Sequence, residues 1–257
     1  MKYIKNIFLF FIFTIAIFCG FFLFTNSQAA HANTINLNLT IAEVYEQRSN
    51  HNPDGIGKFY MGREIARVMG HTGAGWLERG SREVEEQPSK IVDALKLQSD
   101  SVVADIGAGT GYLSFLIAPH LPQGRVFAVD IQPEMLEIIG YFQEEKNVTN
   151  IKPILATETN PNLSTESIDL ALMVDAYHEF AYPREMLKGI VKALKKGGRV
   201  ALVEYRGENP FIMIKSLHKM TQKQVKKEMQ AVGLVWRETN NVLPQQHIII
   251  FEKPNFV

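Results

Sequence analysis

Between Ser101 and Tyr205 the chain alternates near-continuous apolar runs with amphipathic segments, and this alternation restricts the fold more than any other feature of the sequence. The runs are SVVADI (Ser101 to Ile106), RVFAVD (Arg125 to Asp130), SIDLALMVD (Ser167 to Asp175) and RVALVEY (Arg199 to Tyr205). A strand that is apolar on both sides needs a cover on both faces, which parallel strands joined by crossover helices provide. The helices are legible in between. Met135, Leu136, Ile138, Ile139 and Phe142 form one stripe at helical spacing, and Met186, Leu187, Ile190, Val191 and Leu194 form another, closed by Gly197-Gly198. Strand, helix, strand, helix predicts an α/β fold with a doubly wound, mostly parallel sheet. Ile151 to Ala156 adds a strand that Pro153 assigns to the sheet edge, because proline cannot donate to a ladder. Thr221-x-x-Gln224 is a capping box opening a helix that runs to Ala231. LVWRETN and HIIIFEK then follow as two closing strands, expected as an antiparallel hairpin.

Upstream, Lys2 and Lys5 precede an apolar run from Ile7 to Phe24, and Ala30-His31-Ala32 has the small-x-small form of a cleavage site, with Ser27-Gln28-Ala29 offering another. Two readings fit residues 1–32: a signal peptide for export to a bacterial periplasm or the medium, or an uncleaved membrane anchor, since the run is just long enough to span a bilayer. In both, the body of the protein faces outward, because no positive residue follows until Arg48. Residues 33–88 read as a helical N-terminal extension or lid. Phe59, Tyr60 and Met61 recur with Ile65, Val68 and Met69 at three- and four-residue spacing, which predicts a helix there, and GHTGAG (Gly70 to Gly75) predicts a loop. Ser89 to Leu97 predicts a helix leading into the α/β domain of residues 89–257. The sole cysteine, Cys19, lies in the apolar run, so disulfides and thiolate metal sites are excluded from the remainder. Basic and acidic side chains number 27 each, a balance that argues against nucleic acid as a partner.

The stretch ADIGAGTGYLS, Ala104 to Ser114, follows the first of these strands with glycines at Gly107, Gly109 and Gly111. A dinucleotide turn spaces its glycines G-x-G-x-x-G, but here Tyr112 holds the third glycine's place. ADIGAGTG resembles the first motif of the class I S-adenosylmethionine-dependent methyltransferases. EMLKGIVKALKKGGRVALVEY resembles the helix, glycine turn and fifth strand of the same superfamily, and the resemblance covers about residues 89 to 253. It implies a seven-stranded sheet of order 3-2-1-4-5-7-6 with an antiparallel last strand, S-adenosyl-L-methionine as cofactor, and a methyl acceptor, expected to be a small molecule. It also implies cofactor contacts at Asp105, Gly107, Ala108, Gly109 and Gly111. Asp130 and Ile131, at the next strand tip, fall where an acid accepts the ribose hydroxyls. Thr157 and Glu158 follow the third strand near the adenine position, offset by one residue, and Asp175 ends the fourth.

Methyl transfer is an in-line displacement from an already activated sulfonium, so alignment supplies much of the rate, and a base is required only for protonated acceptors. Tyr177, His178 and Glu179 lie just past the fourth strand, at the edge where open α/β sheets bind ligands, and are the candidate catalytic residues, with His178 as base. Tyr60, Arg63, His71, Trp76 and Arg79 surround the glycine loop as a candidate lid. In EYRGENPFIMIKSLHKM, Arg206 and His218 are candidate contacts for an anionic group. His218 and His247 have no second ligand at metal spacing, so no metal site is expected. The alternative function is a non-catalytic nucleotide-binding or scaffold protein that kept the fold; an NAD-linked oxidoreductase is disfavoured by Tyr112.

Overall fold

The computed structural model describes residues 44–255, so the expectations for residues 1–32 lie outside the described residues. The chain divides at Gln47 into two units, and the first contributes strand β1 (Tyr45–Gln47) to the described part. The second unit opens with strands β2 (Gly55–Tyr60) and β3 (Arg63–Ala66) and the short helices α1 (Ala74–Leu77), α2 (Arg82–Glu85) and α3 (Pro88–Leu95). The α/β alternation then runs β4 (Val102–Ile106), α4 (Tyr112–Ile117), β5 (Arg125–Asp130), α5 (Pro133–Lys146), β6 (Ile151–Leu155), β7 (Ile168–Val174), α6 (Pro183–Ala193) and β8 (Leu194–Tyr205). It closes with α7 (Gln222–Gln230), β9 (Val235–Asn240) and β10 (Gln246–Glu252).

The seven-stranded sheet has the order β6-β5-β4-β7-β8-β10-β9, which is the expected 3-2-1-4-5-7-6. β10 is antiparallel to both neighbours, and the ladders from β6 to β8 are parallel. Along the inner strands side chains alternate between two cores. Ala104, Ala171, Met173, Val200 and Leu202 join the core under α6 and α7, while Val103, Leu170, Leu172, Ala201 and Val203 join the one under α3 and α4. Each fully buried side chain of Val or Leu size contributes about 1.5–3 kcal/mol, so a sheet covered twice anchors the strand tips firmly. β6 lies at the edge, as Pro153 requires, and Thr221 Oγ1 accepts the Gln224 backbone N–H at 3.2 Å at the start of α7.

Two expectations are overturned. The helix expected around Phe59 to Met69 is instead a β-hairpin, β2 paired antiparallel with β3. Its two-residue turn, Met61-Gly62, has φ of 48° and 97°, the all-positive turn that matches strand twist. The apolar residues of two short strands happened to fall three and four apart. Gly197-Gly198, expected to close a helix, lies inside β8, where the pairing jumps from Leu194 opposite Ile168 to Arg199 opposite Leu170. The extra residues bulge out: Gly197 has φ of 70°, and a Cβ on Gly198 would meet the Lys195 carbonyl at 2.8 Å. The GHTGAG stretch is more ordered than a loop, forming a 3-10 turn (His71–Gly73) and the start of α1.

Candidate functional site

The tip of β4 is tied down by the next strand. The backbone N–H groups of Gly107 and Ala108 both donate to the Val129 carbonyl, at 2.8 and 3.0 Å. Gly107, Gly109 and Gly111 all have positive φ (76°, 55° and 82°), a region other residues enter only under strain. A Cβ would meet Ala176 at Gly107, Leu77 at Gly109 and Ile139 at Gly111, each within 2.9 Å. The first two glycines thus bring backbone to the crevice floor, and the third lets α5 pack against the turn.

Asp105 is buried behind the turn and accepts the Ser114 hydroxyl at 2.8 Å; burial pushes its carboxyl up to about 6 against that hydrogen bond. Asp130, at the tip of β5, braces the turn by accepting the Gly109 N–H at 2.8 Å and the Gln132 N–H at 2.9 Å. Burial raises its carboxyl, and the backbone donors oppose that. One donor on each oxygen leaves lone pairs for further hydroxyls. Ile131 beside it is an exposed apolar side chain. Thr157 and Asn160 close a small turn on the surface, with Glu158 exposed at its tip. Asp175 sits at φ of 48°; its Oδ2 accepts the Gln246 side-chain amide at 2.5 Å, and its buried Oδ1 has no hydrogen-bond partner among the described residues. Burial, then Glu204 and Glu86, hold its carboxyl well above the usual range.

The crevice around the turn is lined by Asp105, Gly107, Ala108 and Thr110, with Leu77, Arg82 and Tyr112 on its other side. Leu77 and Arg82 were not anticipated. Arg82 is buried over the Tyr112 ring at 4.5 Å, donating to Glu86 at 2.9 Å and to the Leu77 carbonyl at 3.0 Å. Burial alone would raise Glu86; Arg82 and Arg79 outweigh it and hold the carboxyl below its ordinary value. Among the candidate lid residues, Trp76 is exposed with Arg79 stacked over it at 3.8 Å, whereas Tyr60 is core. His71 lies on the surface, its backbone N–H on Gln132.

A second polar cluster fills the ends of β7 and β8. Tyr177, fully buried, donates its hydroxyl to Glu228 Oε2 at 2.7 Å, and Arg63 donates to both oxygens of the same carboxylate at 2.7 and 3.2 Å. Arg63 also donates to the His178 carbonyl at 3.1 Å. His178 has Nδ1 2.7 Å from Glu204 Oε2 and Nε2 3.0 Å from His218 Nδ1. Burial lowers its imidazole to about 3, far from the near-neutral value that suits a general base. Both ring nitrogens are therefore engaged, and the structure gives His178 the geometry of a fixed, neutral imidazole. Glu179 Oε2 accepts the Met69 backbone N–H at 3.1 Å, and its Oε1 lies 3.4 Å from His218 Nδ1. His218 Nε2 in turn lies 3.0 Å from Asp54 Oδ2.

One expectation changes here. His218 does have neighbouring ligand atoms, supplied by His178 and Glu179 from 40 and 39 positions away in sequence. The Arg206 guanidinium donates to the carbonyls of Asn241, Leu243 and Pro244 and braces the connection into β10. His247 is fully buried with neither ring nitrogen hydrogen-bonded among the described residues.

A family model described as a methyltransferase domain matches residues 104–200, the segment from the glycine turn into β8. An uncharacterized methyltransferase, YcgJ of Bacillus subtilis (strain 168), is 28% identical over 123 residues, which cover 48% of this chain and 48% of that protein. A tRNA U34 carboxymethyltransferase of Desulfotalea psychrophila is 30% identical over 117 residues, covering 44% of this chain and 35% of the relative. The matches thus span about half or less of those relatives. A solved SAM-dependent methyltransferase from Aquifex aeolicus superposes with a TM-score of 0.68 at 18% identity, covering 72% of this chain and all of that one, a likeness of fold.

Proposed function

We propose that this chain is an S-adenosylmethionine-dependent methyltransferase acting on a small-molecule acceptor. The observation that carries the reading is the glycine turn: three successive positive-φ glycines open the backbone between two buried carboxylates, Asp105 and Asp130, on adjacent strand tips. Bound S-adenosylmethionine would supply a methyl carbon on a sulfonium, which the acceptor's lone pair takes in line as the sulfur departs. Asp105 fits an ammonium group, since a positive charge offsets the burial that now raises its carboxyl. The spare lone pairs of Asp130 fit vicinal hydroxyls, and exposed Ile131 fits the face of a purine. Asp175 Oδ1, buried without a partner among the described residues, fits one more donor. Leu77 lies over Gly109 and must turn aside for such a ligand.

Tyr177, His178 and Glu179 serve as positioning residues that wall the acceptor side. An acceptor that reacts through an unprotonated lone pair, or arrives already deprotonated, needs no base from them. The balanced charge of the chain favours a small acceptor over tRNA. Calorimetry with S-adenosylmethionine is the direct test, followed by methyl transfer from labelled cofactor to a panel of small acceptors with tRNA alongside. No heat of binding at millimolar cofactor would leave a non-catalytic protein of this fold, and labelled tRNA would replace the acceptor class.

A further inference from the structure

We propose that His178, Glu179 and His218 form a site for a divalent metal ion, with zinc as the best fit. The inference is independent of the methyltransferase reading and rests on three observations.

The first is the spacing of the donor atoms. His178 Nε2, His218 Nδ1 and Glu179 Oε1 stand 3.0, 3.4 and 3.8 Å apart, all within one small cluster. Zinc bonds of about 2.0–2.2 Å at tetrahedral angles separate ligand atoms by about 3.4 Å, so a metal fits between them with shifts of a few tenths of an ångström.

The second is the set of partners behind the imidazoles. Glu204 holds His178 Nδ1 at 2.7 Å, and Asp54 lies 3.0 Å from His218 Nε2. His178 thus has a carboxyl group hydrogen-bonded to its far nitrogen, His218 has one at ion-pair distance from its own, and both near nitrogens face the shared point. A carboxylate on the far nitrogen fixes the tautomer and ring orientation that metal ligation needs. Glu179 is oriented in the same way, because its other oxygen is occupied by the Met69 N–H.

The third is access. His178 is almost fully enclosed, while the side chains of His218 and Glu179 are 21% and 14% exposed, which opens the cluster to solvent on one side. Two imidazoles and one carboxylate with an open side make up a three-ligand zinc set, leaving the fourth position to water or a ligand. On binding, the metal replaces the proton that bridges His178 Nε2 and His218 Nδ1, and that proton leaves to solvent.

The test is zinc content and affinity of the purified protein, measured by elemental analysis after gel filtration and by chelator competition. One retained zinc per chain is expected in the wild type. E179Q, whose amide oxygen can still accept the Met69 N–H, and H218A should weaken zinc binding by at least about 100-fold, and D54N by about 10–100-fold. H71A, on the surface, should change nothing. Replacing zinc with cobalt(II) should give the intense visible absorption of a tetrahedral site, absent in E179Q. Far-UV circular dichroism and S-adenosylmethionine affinity, followed in every variant, separate loss of fold from loss of metal. Zinc that washes away from the wild type, or equal zinc affinity in wild type, E179Q and H218A, would overturn the site while leaving the cofactor reading untouched.

Discussion

At the scale of single residues, burial moves Asp105 and His247 in opposite directions. Asp105 is a carboxylate held near its turning point by burial, so a cationic ligand group gains from it; D105N should weaken S-adenosylmethionine binding about 10- to 100-fold, the worth of a hydrogen bond to a charged group, as calorimetry would register. His247 is a buried imidazole with neither ring nitrogen hydrogen-bonded among the described residues, lowered to about 4 by burial. Its folded value lies below the unfolded one, so the unfolded chain takes up the proton first, and the stability this residue permits is lost as pH falls below about 6.5. H247M should therefore be more stable than wild type by about 1–3 kcal/mol at neutral pH, the penalty of an unpaired buried group. The margin should widen on acidification toward pH 4.5 in urea melts, and a constant margin would show that the imidazole does not titrate as described.

At the scale of elements, legibility followed locality. The inner strands and their helices could be read because burial on both faces stamps a long, continuous pattern on the chain, and the glycine turn could be read because its chemistry lies within eight consecutive residues. The β2–β3 hairpin could not, since its strands are too short to show a period and its turn is Met61-Gly62 rather than the usual Asn-Gly. The polar cluster was legible only in part. His178 and Glu179 stand out in the sequence, but Glu204 and His218 reach His178 from 26 and 40 positions away, Glu228 joins Arg63 across 165, and Arg82 marks itself only by its i,i+4 partner Glu86. Two element-level outcomes follow. G111A should lose about 1–3 kcal/mol, because positive φ and the approach of Ile139 both penalise a methyl there. Removing the cover in L77A should tighten S-adenosylmethionine binding severalfold; weaker binding would make Leu77 a contact of the bound state instead.

At the scale of the whole molecule, the sheet joins sequence-distant segments at one edge: the carboxyl ends of β4, β5, β7 and β8 carry the glycine turn, Asp130, the Tyr177–Glu179 turn and Glu204. The segment before the sheet supplies the rest, Asp54, Arg63, Leu77 and Arg82, so residues 48–88 contribute side chains to both the crevice and the polar cluster. Among the described residues no helix is long and apolar enough to cross a membrane. The export reading of residues 1–32 predicts that the mature protein begins at Asn33; terminal sequencing from fractionated cells would find Met1 or Lys2 instead if the segment is kept. The order of the sheet also bears on the order of assembly. Because β10 is wedged between β8 and β9, the strand made next to last has no neighbour until the final one emerges from the ribosome. β9 can therefore join the sheet only after β10 has been made, so this edge closes after the parallel strands have paired.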